Sequence, residues 1–284
     1  MLHVIEHTLE ESIRLLPFLL AAYILMEYVE HHMGDRTKRM IQTSGRFGPV
    51  IGSIAGIVPQ CGFSAMAANL YSGGIITIGT LMAIFLSTSD EMLPVFLSQQ
   101  APLGLIAKIL GMKVVIAAVV GFAVDFIWRK RYNHRREELH IHDMCEHEHC
   151  HCEDGILKSA VYHTVKIFVF ILIVSFCLNL VIEWYGRDQL ASLVLGQPVI
   201  GSVIAALVGL IPNCAASAII AQLYLEGALT LGAMMSGLLA ATGVGIVVLF
   251  KTNGSLRKNL TITVMLYGIS VAAGWLIDMI GIFG

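Results

Sequence analysis

Charged residues are scarce in this chain. Asp, Glu, Lys and Arg make up 13% of its 284 residues, about half the share of an ordinary soluble domain. Apolar side chains make up 56%, more than a water-facing fold could cover, which excludes a soluble globular domain. No GxxxxGK[ST] motif occurs, so any use of ATP would need another subunit. The N-terminus carries His3, Glu6, His7, Glu10 and Glu11 where a secretory signal would be basic, and no cleaved leader is expected. Net charge is −2 and the basic residues sit in short segments between apolar runs, which is no surface for nucleic acid.

Long apolar runs fill the sequence instead: Ile13 to Tyr28, Leu103 to Trp128, Val165 to Trp184, Ala228 to Phe250 and Leu260 to Phe283. Each approaches or exceeds the roughly 18 residues that mark a bilayer crossing. The chain is expected to be an all-α integral membrane protein of several spans.

The chain also matches itself. At an offset of 153 residues, GIVPQCGFSAMAANLYSGGIITIGTLM lies over GLIPNCAASAIIAQLYLEGALTLGAMM, setting Pro59 on Pro212, Cys61 on Cys214, Ser64 on Ser217, Thr77 on Thr230 and Gly79 on Gly232. Fourteen of the forty-one positions from Gly56 to Phe96 are identical, against about three or four from composition alone. The same offset brings Gly121 and Asp125 onto Gly274 and Asp278. The chain divides into a first transmembrane repeat at 1–128, a linker at 129–157 and a second repeat at 158–284.

Basic residues set the orientation of the two copies. The loop after the first span carries Arg36, Lys38, Arg39 and Arg46, whereas its partner at 186–197 has Arg187 balanced by Asp188. The segment 89–102 is acidic, with Asp90 and Glu91, whereas its partner at 251–258 holds Lys251, Arg257 and Lys258. By the positive-inside rule the copies are inverted, with the linker, which opens on RKRYNHRR, in the cytoplasm and both termini outside.

Pro59-Gln60-Cys61-Gly62 and Pro212-Asn213-Cys214 interrupt the stretches 48–72 and 201–225. Proline removes a backbone donor and breaks a helix, so each stretch is read as two short helices. Each is too short for a hydrocarbon core of about 30 Å, which favours a re-entrant hairpin, with three crossings per half, over two separate crossings, with five. Irregular backbone at membrane depth needs a polar cavity or buried partners. The breaks are therefore candidate substrate sites, lined by Gln60, Cys61, Ser64 and Asn69 in one half and Asn213, Cys214, Ser217 and Gln222 in the other. On a plainer reading the same groups satisfy backbone freed by the prolines, and the cysteines are packing residues.

Asp90 and Glu91 end the third apolar segment of the first half, with Gly243 and Val244 at the matched positions. They could carry a coupling ion or cap a helix at the outer face. For Asp125 and Asp278, near span ends, interfacial solvation is the expectation. In the linker, His140, His142, Cys145, His147, His149, Cys150, His151 and Cys152 crowd into HIHDMCEHEHCHCED. Imidazole and thiolate are ligands of transition-metal ions, and without fixed finger spacing they suit labile capture better than a structural zinc site. A reducing cytoplasm disfavours disulfides among them. No cofactor is required.

The paired Pro-x-Cys breaks and the His- and Cys-rich linker resemble the ten-transmembrane heavy-metal exporter family, whose members are labelled manganese or arsenic efflux proteins. The resemblance covers essentially the whole chain. It implies a secondary transporter, not an enzyme, that exports a heavy-metal or metalloid ion across a prokaryotic plasma membrane, and it leaves homo-oligomerisation open. Thiolates at Cys61 and Cys214 suit a thiophilic ion, whereas manganese would lean on oxygen ligands such as Asp90 and Glu91. Two other classes stay open: a membrane thiol-disulfide electron carrier using Cys61 and Cys214, and an organic-anion permease with helix N-termini facing its substrate.

Overall fold

A computed structural model describes residues 47–57, 62–89, 92–131 and 198–281, with scattered helical positions between 13 and 24 and between 161 and 177. Among the described residues every regular element is a helix and no strand occurs. In the first half these are α1 (Gly48–Ala55), α2 (Gly62–Ser72), α3 (Ile78–Ser87), α4 (Met92–Ser98) and α5 (Leu103–Arg131). In the second half they are α6 (Pro198–Gly209), α7 (Cys214–Leu225), α8 (Leu231–Ala240), α9 (Gly245–Thr252) and α10 (Leu256–Ile280).

Four described segments are long and apolar enough to cross a membrane: Ile78–Ser98, Leu103–Trp128, Leu231–Thr252 and Leu256–Ile280. α5 and α10 are unbroken and turn Val115, Val119, Phe126, Leu260, Val264 and Met279 outward, as helices facing lipid do. The other two segments are mostly buried and are broken midway. α3 stops at Ser87, and Thr88 and Ser89 lead away from it, both buried. α8 stops at Ala240, and the buried residues Ala241 to Val244 precede α9.

These breaks correct two expectations. Residues 89–102 are not simply an external loop, because α4 lies within them and belongs to the Ile78–Ser98 segment. The two alternatives for Asp90 and Glu91, coupling ion or helix cap, fall on residues outside the described ones. The run Ala228 to Phe250 likewise holds two helices, and Gly243 in the gap takes a left-handed φ of 52° that suits glycine and few other residues.

Glycines set how closely the helices approach. A Cβ on Gly48 would strike the Thr80 side chain, on Gly52 it would meet Ile84, and on Gly56 it would strike Ser87. α1 thus runs parallel to α3 and ends where α3 ends. At eight residues it is about 12 Å long, well short of a hydrocarbon core of about 30 Å. In the second half α6 lies against α8, with the Gly209 Cβ position meeting the Gly237 carbonyl.

α3 packs on α5, and α8 on α10, each pair held by the same clasp. The Asp125 carboxylate accepts from Thr77 Oγ1 at 2.7 Å and from the Gly79 amide at 2.8 Å. Asp278 accepts from Thr230 Oγ1 and the Gly232 amide, both at 2.8 Å. Thr77 and Thr230 in turn N-cap α3 and α8, each accepting at 3.1 Å from the amide three residues on. The aspartates are therefore more than solvated groups at span ends: each carboxylate satisfies an orphan donor of a helix first turn, where the helix dipole favours negative charge. Gly74 and Gly227, just before these caps, share a φ of 73° and 74°.

Contacts between the halves are exchanged. α2 packs on α9, and α7 packs on α4, while α3 meets α8 directly. The Ser72 and Thr252 hydroxyls bond at 2.8 Å, and Phe96 stacks on Tyr224 with ring centroids 6.3 Å apart.

Candidate functional site

The residues around the two proline motifs fall into different surroundings. Asn213 is buried and N-caps α7, its Oδ1 accepting from the Ala215 amide at 2.7 Å. Capping donors at a helix that begins inside the protein is a task the plainer reading assigns to it. Cys214 opens α7; its side chain lies outside the description, as do Gln60, Cys61, Asp90 and Glu91 and the linker ligands from His140 to Cys152.

Ser64 is fully buried in the first turn of α2. A Cβ on Gly245 would meet it at 2.8 Å, so Ser64 sits against the start of α9, from the other half and beside the 241–244 break. Ser217 is buried on α7, the helix that packs on α4. Both hydroxyls thus belong to helices that adjoin the broken segments.

Asn69 and Gln222, matched in the repeat, part company. Asn69 is fully buried: its Oδ1 accepts from the Tyr23 hydroxyl at 3.2 Å, and its Nδ2 has no partner among the described residues. Gln222 is exposed and donates to Glu226 Oε1 at 2.8 Å. The glutamine has a polar neighbour one turn along its own helix and does not share the enclosed setting of Asn69.

One residue with strong consequences has no counterpart in the repeat. Lys113, within the apolar run of α5, is almost completely buried. Its Nζ donates to the Thr88 carbonyl, at the C-cap of α3, and to the Leu238 carbonyl of α8 at 3.2 Å. A lysine at the centre of a membrane helix costs about 2.5–3.5 kcal/mol on insertion scales, and a hydrogen bond to a charged group contributes about 1.5–3 kcal/mol. The two carbonyls offset much of that cost. The signal was available in the sequence, a basic residue well inside an apolar run with Leu266 at the matched position. What it binds was not, because Thr88 and Leu238 are distant in the chain.

Buried hydroxyls, an amide and an ammonium thus sit on helices that adjoin the interrupted membrane segments. A family model described as "Putative, 10TM heavy-metal exporter" matches residues 5–181, well over half of the chain. The chain belongs to this family. The match runs from the first apolar run past the His- and Cys-rich segment, and with the candidate spans it makes this exporter-family member a multi-pass membrane protein. No curated protein and no solved structure matches it.

Proposed function

We propose that this chain is a secondary transporter exporting a heavy-metal or metalloid ion, of manganese or arsenic type, across a prokaryotic plasma membrane, and that it is built from two inverted copies of one unit. Beside the family match, the observation that carries this reading is the level at which the short helices end relative to one another. α1 stops level with the end of α3, and Ser64, at the start of α2, meets Gly245 at the start of α9. The end of α1 and the start of α2 then lie level with both broken spans, which is what a re-entrant hairpin reaching mid-membrane requires. The two clasps support inversion: Asp125 is close to the basic run after Trp128, whereas Asp278 is at the opposite end of α10 from Arg257 and Lys258.

On this reading the ion passes between Cys61 and Cys214, with Gln60, Asn213, Ser64, Ser217 and Asn69 nearby and Asp90 or Glu91 on the coupling path. The linker His and Cys residues capture metal on the cytoplasmic side. Cys61→Ser and Cys214→Ser are each expected to lower metal protection of cells well below that of Cys177→Ser, a change at an exposed position. A thiophilic ion such as trivalent arsenic should suffer more than manganese, since a hydroxyl is a poor soft ligand. Full protection by the double serine variant removes the cysteines from the mechanism. Serine replacement of His147, His149, Cys150, His151 and Cys152 should weaken metal binding yet leave measurable export; complete loss in a folded variant would place the essential site in the linker.

A further inference from the structure

α3 and α8 come from different halves, pack on one another and end at neighbouring points. A helix end leaves its last carbonyls without intrahelical donors and carries partial negative charge. Two such ends meet at Lys113, whose ammonium donates to the carbonyl of Thr88 and to that of Leu238. The segments α1, α3 and α8, which surround this contact, contain no titratable side chain. Asp90 and Glu91 follow Ser89 in sequence and lie outside the described residues. Leu266, the matched residue on α10, is fully buried and apolar, so the charge is supplied once per chain.

Backbone carbonyls at interrupted helix ends are also the chemistry that binds alkali cations at membrane depth. The geometry points to a monovalent-cation site, formed by the Thr88 and Leu238 carbonyls, whose occupant is the tethered Lys113 ammonium and whose ligand class is Na⁺ or K⁺. The lysine stands in for the free ion, so the native protein needs neither at this position.

Removing the ammonium while leaving its space should convert the position into a working ion site. Purified Lys113→Ala should unfold at a lower temperature than wild type in choline chloride and recover saturably when Na⁺ or K⁺ replaces choline at constant ionic strength. A hundredfold excess over the dissociation constant should raise Tm by on the order of 5 °C. Lys113→Met, which removes the charge and keeps the space filled, should lose stability without acquiring cation dependence, and wild type should be indifferent to the cation. Equal Tm for Lys113→Ala in all three salts overturns the proposal, as does a Lys113→Met variant that responds in the same way. If Lys113→Ala cannot be recovered in choline, purification in NaCl and KCl decides: recovery there supports the site, and failure there beside a folded Lys113→Met rejects it. The readout is folding, so its outcome is independent of whether the protein exports heavy metals.

Discussion

Asp125 and Asp278 show how single side chains organise a bundle that has few polar groups to spend. Each accepts from a threonine hydroxyl and a glycine amide at the start of a helix, so one carboxylate caps one helix and pins it to another. Deleting it leaves those donors without their acceptor, and a hydrogen bond to a charged group contributes about 1.5–3 kcal/mol. Asp125→Ala and Asp278→Ala are each expected to destabilise the folded protein by about 2–4 kcal/mol, with Asp125→Ala the worse of the two because Thr77 is less exposed to water than Thr230. Thermal unfolding of the purified variants measures this; two aspartates that can be removed without effect would reduce the clasps to surface contacts. Repeat matching picked out both aspartates, but their partners are 46 and 48 positions away in sequence, and only folding shows that the carboxylates reach them.

At the scale of the element, small residues decide which helices can touch. A Cβ on Gly79 would collide with the Gly121 carbonyl and the Asp125 carboxylate, and one on Gly232 would collide with the Gly274 carbonyl and Asp278. Gly111 and Gly268 have nothing within 4 Å of the added carbon. Gly79→Ala and Gly232→Ala should therefore cost at least about 1–3 kcal/mol through forced separation of the helices. Gly111→Ala and Gly268→Ala should be neutral or stabilising by up to about 1 kcal/mol, since alanine favours the helix. Yield and melting temperature of the four variants test this, and a uniform response across them would mean that helix spacing is not set at these glycines. The repeat singled out Gly79 and Gly232; Asp90 and Glu91 marked the gap after Ser87 in the sequence, but hydropathy could not reveal the gap after Ala240, because Ala241 to Val244 are as uncharged and buried as the helices on either side.

For the whole molecule, the proposed inversion would fix which ends of the helices share a membrane face. Single cysteines introduced at Met40 and Ser255, in a background with the native cysteines replaced by serine, should react with impermeant reagents only from the cytoplasmic side. Cysteines at Gln100 and Leu190 should react only from outside. Gln100, in the turn after α4, is the better external reporter than Val95, which lies on the helix itself. Labelling of Met40 and Leu190 positions from the same side would show that the two copies run parallel.

Sequence alone determined the solvent of this protein and its internal duplication, because hydropathy and the spacing of Pro, Cys, Thr and Gly are local properties of the chain. It also carried the family, through the proline-cysteine motifs and the His- and Cys-rich linker. Tertiary structure decided what the polar residues do. Asn69 and Gln222 occupy matched positions yet one is enclosed and the other exposed, since identical spacing along a helix does not fix what packs against it. It decided as well that Lys113 joins two helix ends from opposite halves, because a buried charge is held by whichever carbonyls the fold brings to it, and those lie far from it in sequence.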